Sequence, residues 1–583
     1  MPGTEAETYE KALKLHRSGD LQSAVSFYRE VLDSNPEHFD AQYLLGTALL
    51  QTGEFDEAIA IFQRLIEHRK DVPDVFNNLG IALQAKEDWE QSAKAFQKAI
   101  ELNPEYDSAI YNLGKVMEKR GLSSDAEKCF RRTVELKPED VSTRFSWANS
   151  LNALSRYDEA ETQFRTVIEN EPQNSNAKIN LGFALVKQGK LSEAENIYRE
   201  VLDENPDYAE IHNNLSYLQE KQGKLDEAIR SAEHAIALQA DYADAWNNLG
   251  IALREMHDFE KACDAFSKAT SLKENFHLAE FNLGTTKLLM GNWLEGWKGY
   301  GLLNKLDGQQ HEFQHFPRWN GETMPGLRLL VHADQGFGDT IQFSRFLPKV
   351  KEISQAEVVF AVQPELQDLL ENCVSLNSKI EKIDRQIALS ELPGLFQLSL
   401  DNLSTKIPGI LKIPGIWESF TVSEKLNDAF ESLPDGRPRI GIVWKGNPRQ
   451  PRDYVRSCPW EKFATLIENS RFTFLSLQVD SVGNSEIQET NCIDLGPHLQ
   501  NFTDTAWILE RIDLLITVDT AIAHLAGAMG RPVWTLLCHT PDWRWLLERE
   551  DSPWYPTMKL FRQPKRNDWE TVLENVKQAL SKL

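Results

Sequence analysis

The sequence predicts two unlike halves, an all-α solenoid in front and a doubly wound, parallel α/β region behind. Three observations predict this. Residue types recur every 34 positions through the first 300 residues. The beat then stops, and a stretch rich in Pro, Trp and Gly, "FPRWNGETMPGLR" (316–328), takes its place. Beyond it, short continuous apolar runs alternate with helical patterns, the mark of parallel strands buried on both faces.

The repeats come first in the chain. Small residues fall at Gly46, Gly80, Gly114, Ala148, Gly182, Ser216, Gly250 and Gly284, where two antiparallel helices must approach closely. Glycines at 19, 53, 121, 189, 223 and 291 suit a left-handed inter-helix turn, and prolines at 36, 104, 138, 172 and 206 end the second helix. This pattern resembles the tetratricopeptide repeat. It gives nine repeats from about residue 5 to 310, the last with a second helix that decays into "KGYGLLNKLDGQQHEF" and is expected to dock on the following domain. The family resemblance implies a superhelix whose concave face binds a partner. Asn78, Asn112, Asn180, Asn214, Asn248 and Asn282 form a column in the "N-L-G" segment, interrupted by Ser146. Side-chain amides carry donor and acceptor together, so the row either grips an extended peptide backbone or bonds only its own repeat's turn. A similar ladder occurs in O-linked N-acetylglucosamine transferases.

The expected organisation is a repeat array over 1–310, a connector over 311–326, and two Rossmann-like lobes over 327–430 and 431–583. Apolar runs at 328–333, 357–362, 395–400, 439–444, 473–478, 492–496, 514–519 and 533–538 supply the strands. "ESLPDGRPR" (431–439) separates the lobes. In such sheets ligands lie beyond the carboxyl ends of the strands.

Three strand-end loops therefore carry the candidate site. The first, Asp334 to Gln342, contains "GFGD". Gly336 and Gly338 begin a G-x-G-x-x-G, but Ile341 breaks it and Val362-Gln363 supplies no acid after the second strand, so it is neither a dinucleotide fingerprint nor a P-loop. It remains a phosphate or turn element. Asp339 is either a general base or the N-cap of its helix. The second loop begins at Lys445, a phosphate-neutralising cation or a solvated strand-end lysine, with Arg449, Arg452 and Arg456 nearby. The third is Asp519-Thr520-Ala521 with His524 a turn later, polar groups for a diphosphate or ribose, or a capped turn and a structural histidine. "HTPDWRWLLEREDSPWYP" adds Trp543, Trp545, Trp554 and Tyr555 as stacking or packing aromatics, with Asp542 and Arg544 as further candidates.

In this order the loops resemble those of GT-B glycosyltransferases related to the bacterial heptosyltransferases, over roughly residues 327–560. The resemblance implies that Asp339 is the base, that Lys445, Asp519, Thr520, Ala521 and His524 bind a nucleoside-diphosphate sugar, and that the sugar is inverted. The donor is a co-substrate, and no cofactor is expected. No Asp-x-Asp, His-x-His or paired cysteines stand in the sequence, so a metal-independent enzyme is expected. The competing expectation is an interaction scaffold with a degenerate transferase-like domain, since the first lobe is short.

Composition narrows the partners. A formal charge of −25 disfavours nucleic acid and anionic membranes. The six cysteines (129, 263, 373, 458, 492, 538) form no framework, there is no signal-like start, and 514–537 is interrupted by Asp519, His524, Arg531 and Pro532. A cytoplasmic protein without a membrane span is expected, with an extended peptide or protein in the repeat groove.

Overall fold

The computed structural model describes residues 5–303, 313–403, 422–434, 436–448, 450, 452–468, 471–479, 487 and 490–583. The expected array end at 310, the connector start at 311 and Arg449 lie outside the described residues. The chain divides into two compact units, Met1–Leu218 and Gln219–Leu583.

The repeats form antiparallel helix pairs, α1 (Glu5–Arg17) through α18 (Trp293–Tyr300). The small-residue column is explained by ring packing. A Cβ on Gly80 would fall 2.6 Å from the Phe96 ring, and one on Gly250 would fall 2.6 Å from Phe266. The turn column is left-handed throughout: Gly19, Gly53, Gly121, Gly189, Gly223 and Gly291 have φ of 74° to 85°. Glu87, Ser155 and His257 hold the same place with φ of 60° to 63°, at the steric cost glycine avoids. As the sequence predicts, the short α18 does not lead into another repeat. Its Trp297 Nε1 donates to Leu398 O at 2.8 Å, and Gly394 packs on Trp297.

The second unit holds the end of α13 (Ala209–Gln222), α14 to α18 and two parallel sheets. The first sheet has the order β3-β2-β1-β4, with β1 Arg328–His332, β2 Glu357–Val362, β3 Cys373–Ser375 and β4 Arg385–Ala388. The second has the order β10-β9-β8-β5-β6-β7, with β5 Arg439–Val443, β6 Thr473–Ser476, β7 Ile493–Asp494, β8 Leu514–Val518, β9 Val533–Leu537 and β10 Met558–Arg562. All neighbouring pairs are parallel. The fold is thus a tetratricopeptide region followed by Rossmann-like α/β lobes.

The expected strand at 395–400 is not formed. Pro393 and Gly394 sit in a short helix, Leu392–Leu395, and Gln397 follows with φ of 49°, so the chain turns instead of extending. The edge of the first sheet is made by β4, whose "RQIA" lacks an apolar run. Among the described residues, no helix is long and apolar enough to cross a membrane. One hydrophobic core runs from Leu288, Trp293, Trp297 and Tyr300 of the last repeat through residues of both sheets.

Candidate active site

In the second sheet the strand order reverses between β5 and β8, the point at whose carboxyl ends doubly wound sheets place a ligand crevice. Lys445 leaves β5 there, exposed and without an ion-pair partner among the described residues. Its backbone N donates to Gln478 Oε1 at 3.1 Å, which fixes the loop. A Cβ on Gly446 would press on the Asp453 carboxylate and on the Arg456 guanidinium, the latter at 2.6 Å, so glycine lets that pair close over the loop. Arg456 in turn pairs with Asp453 at 2.9 Å, and Arg452 pairs with Glu255 at 3.0 Å. Arg456 is thus neutralised within its own segment and Arg452 reaches across to a repeat helix, while Lys445 faces outward.

Across the crevice, β8 ends and Thr520 is the N-cap of the Ala521–Ala528 helix. Asp519 stands one residue too early to cap. The Thr520 hydroxyl lies 3.0 Å from the Thr517 hydroxyl and makes no capping bond, so the first N–H groups of the helix have no side-chain acceptor there. Burial, followed by the nearby Asp542, pushes the Asp519 carboxyl up to about 6, while Arg456 and Arg544 oppose the shift.

The "GFGD" turn lies in another environment. Gly336 is the N-cap of the Phe337–Phe343 helix, which places Asp339 third in that helix and rules out the capping role. The Asp339 carboxylate instead accepts from the Arg544 guanidinium and from Tyr300 Oη, the latter at 3.3 Å. Arg544 also donates to Tyr300 Oη at 3.0 Å, to Gln342 Oε1 at 2.6 Å and to Asp542 Oδ1 at 2.6 Å. The last repeat, the first lobe and the second lobe thus share one buried guanidinium. Burial raises the Asp339 carboxyl, and Arg544 opposes it.

Gly338 faces His524: a Cβ on Gly338 would fall 2.8 Å from His524 Cδ2. The His524 ring hydrogen-bonds Tyr555 Oη at 3.0 Å and stacks on Trp545 with centroids 5.2 Å apart. Burial, then Arg544, pushes its pKa down to about 3, so the imidazole is neutral. Trp543 and Trp554 pack against Trp293, Trp297 and Tyr300, with centroids 5.0 to 6.3 Å apart. These rings bury apolar surface between lobe and repeat.

The structure therefore separates the predicted residues into two groups. Lys445, Asp519, Thr520 and Ala521 flank the crevice, whereas Gly338, Asp339 and His524 lie where the two lobes touch. Gly336 opens the first helix of that contact. Tyr300 had no sequence signal, since it sits in a decaying repeat, and Gln342 was marked only as the end of the first strand-end loop. Arg544 was marked only by the Trp-rich segment around it.

Four asparagines of the column donate to the preceding repeat and not to their own repeat's turn. Asn78 donates to Tyr43 and Thr47, Asn112 to Asn77, Asn180 to Asn149 and Asn282 to Asn247, at 2.8 to 3.3 Å. Asn214 is half-buried, and Asn248 is also engaged.

Helix pairs with a 34-residue beat, followed by parallel sheets, define a helical repeat region joined to doubly wound α/β lobes. Tetratricopeptide repeat models match residues 15–78, 73–106, 151–216, 209–242 and 243–276, and the glycosyltransferase family 9 (heptosyltransferase) model matches residues 483–575. The chain thus carries tetratricopeptide repeats in its first half and a C-terminal region similar to the heptosyltransferases. It is 24% identical to Protein FlbA of Caulobacter vibrioides over 332 residues, 52% of this chain and 54% of that one. The chain spans about half the length of this curated relative. Among solved structures, MamA is 24% identical, covering 30% of this chain and 96% of its own, with a TM-score of 0.28. A tetratricopeptide repeat protein from Parabacteroides merdae is 19% identical over 43% of this chain and 98% of its own, with a TM-score of 0.31.

Proposed function

We propose that the chain transfers a sugar from a nucleoside-diphosphate donor to an acceptor, a protein recruited by the repeats. The observation that carries this reading is the pairing of exposed Lys445 with the uncapped start of the Ala521–Ala528 helix across the β5/β8 reversal. A cation and the first N–H groups of a helix that no side chain caps suit a diphosphate, whose charge grows as it leaves. Asp519, with its raised carboxyl, stands beside them to accept or donate a hydrogen bond to the ribose. Asp339 takes the acceptor hydroxyl's proton only when Arg544 releases it, which requires the contact between the lobes to part.

Titration of the full chain with UDP, GDP, ADP and CDP by calorimetry tests the donor site. One diphosphate should bind, and Lys445→Ala should weaken it about tenfold, the loss of one charge-assisted contact. Transfer of labelled sugar should continue in EDTA and stop in Asp339→Asn. Equal affinity in Lys445→Ala would place the nucleotide elsewhere.

A second reading, a non-catalytic scaffold, is favoured by the Asp339, Arg544 and Tyr300 network, which holds the expected base in a closed ion pair. Nucleotide binding without sugar transfer or donor hydrolysis would select it.

A further inference from the structure

The seventh and eighth repeats meet the second sheet through charges that do not balance. Glu220 and Lys221 lie near the end of α13, and Arg254 and Glu255 lie at the end of α15 (Ala243–Glu255). Arg452 and Tyr454 come from the segment after β5, and Arg566 follows β10. Glu255 is 3.0 Å from Arg452 and 4.0 Å from Arg254. Glu220 accepts from Tyr454 Oη at 3.2 Å and lies 3.2 Å from Lys221 and 3.7 Å from Arg566. Glu255 feels all four cations, Arg452, Arg254, Arg566 and Lys221. Both carboxylates are buried, at 5% and 7% exposure, with the largely buried Arg254 and Arg566 and the more exposed Lys221 and Arg452 around them.

The excess is visible in the hydrogen bonding. Arg566 donates from Nη2 to the Glu220 carbonyl at 3.1 Å, but its Nε and Nη1 are buried without a partner among the described residues. Arg254 Nε is in the same condition, as are His257 Nε2 and Thr540 Oγ1 in the same junction. His257 stacks on His539 with centroids 3.8 Å apart, which fixes the wall from the repeat side. A buried guanidinium with unused donors is costly, and the expense is unusual in a chain whose formal charge is −25.

We propose that this junction is an anion site, in which Arg254, Arg566, Arg452 and Lys221 take one phosphate or carboxylate group. Planar guanidinium forks suit either oxyanion. The site is distinct from the crevice, yet Arg452 lies on the loop that begins at Lys445, so an anion here also fixes the base of that loop.

Calorimetry of the full chain with inorganic phosphate, and separately with acetate, at constant ionic strength in chloride, tests the site. Phosphate should bind a saturable site that weakens about tenfold in Arg566→Gln and persists in Lys445→Ala, which removes only binding at the β5/β8 reversal. Without phosphate, Arg566→Gln should melt no lower than the parent chain, and with phosphate it should melt lower by about 2 °C. Acetate binding with the same sensitivity would assign a carboxylate ligand; phosphate binding alone would assign a phosphate. Should Arg566→Gln fail to fold, Arg254→Lys keeps the charge and loses the fork, and should also bind weakly. Binding no stronger than chloride, binding equal in these variants, or binding lost in Lys445→Ala would each overturn the proposal.

Discussion

Arg544 distributes its donors over Asp339, Asp542, Gln342 and Tyr300, so its removal leaves two carboxylates without a cation in a buried place. Arg544→Met should destabilise the protein by about 3 kcal/mol because it strands two carboxylates, whereas Asp339→Asn leaves Arg544 paired with Asp542 and should cost less. The double variant should recover part of the loss, measured as urea midpoints in a double-mutant cycle. Independent, additive losses would mean the pair does not interact. His524 carries a pH signature. It takes a proton near 6.5 when unfolded and only near 3 when buried. The unfolded chain therefore binds more protons between these values, and stability present above 6.5 drains away as pH falls toward 3. Asp519 acts in the opposite sense: with its carboxyl raised to about 6, its share of stability is full below 3.8 and is lost as pH rises through 6. His524→Gln should flatten the acid side of the stability profile and Asp519→Asn the side near 6, in urea titrations across this range.

At the level of elements, the glycines rank themselves by what they touch. A Cβ on Gly80 meets a ring that can shift, whereas a Cβ on Gly299 meets the Glu280 carbonyl and the Gly284 backbone, which cannot. Gly299→Ala should therefore lower the melting temperature more than Gly80→Ala, the latter costing about 1–3 kcal/mol. Conversely, Glu87→Gly and Ser155→Gly relieve left-handed residues and should each be stabilising by up to about 1 kcal/mol in the same melts. The repeat was legible because each column answers a local demand: close approach, positive φ, helix end. The strands were legible where they are apolar, as in "LLITV". β4 and β10 were not, since "RQIA" and "MKLFR" owe their extended form to the neighbours β1 and β9. The run at 395–400 looked like a strand because hydrophobicity alone does not register the Pro-Gly turn before it. In the site, Lys445 and Thr520 could be read from strand ends, while the Asp339 and Arg544 pair, 205 residues apart, could not.

For the whole molecule, the division between compact units falls inside α13, far before the point where the sequence changes grammar. The last repeats share a core with both sheets through Trp293, Trp297 and Tyr300. A fragment of residues 311–583 should thus be insoluble or molten, and one of residues 209–583 should unfold cooperatively, as followed by near-ultraviolet circular dichroism. Equal behaviour of the two would mean the shared aromatic core adds nothing. Tyr300 has a wider consequence, because it belongs to a repeat and yet holds the carboxylate expected to do chemistry. Thermodynamic reciprocity then applies: if a partner on the last repeat shifts the Tyr300 hydroxyl and changes acceptor affinity at Asp339 by some factor, the acceptor must change partner affinity by that same factor.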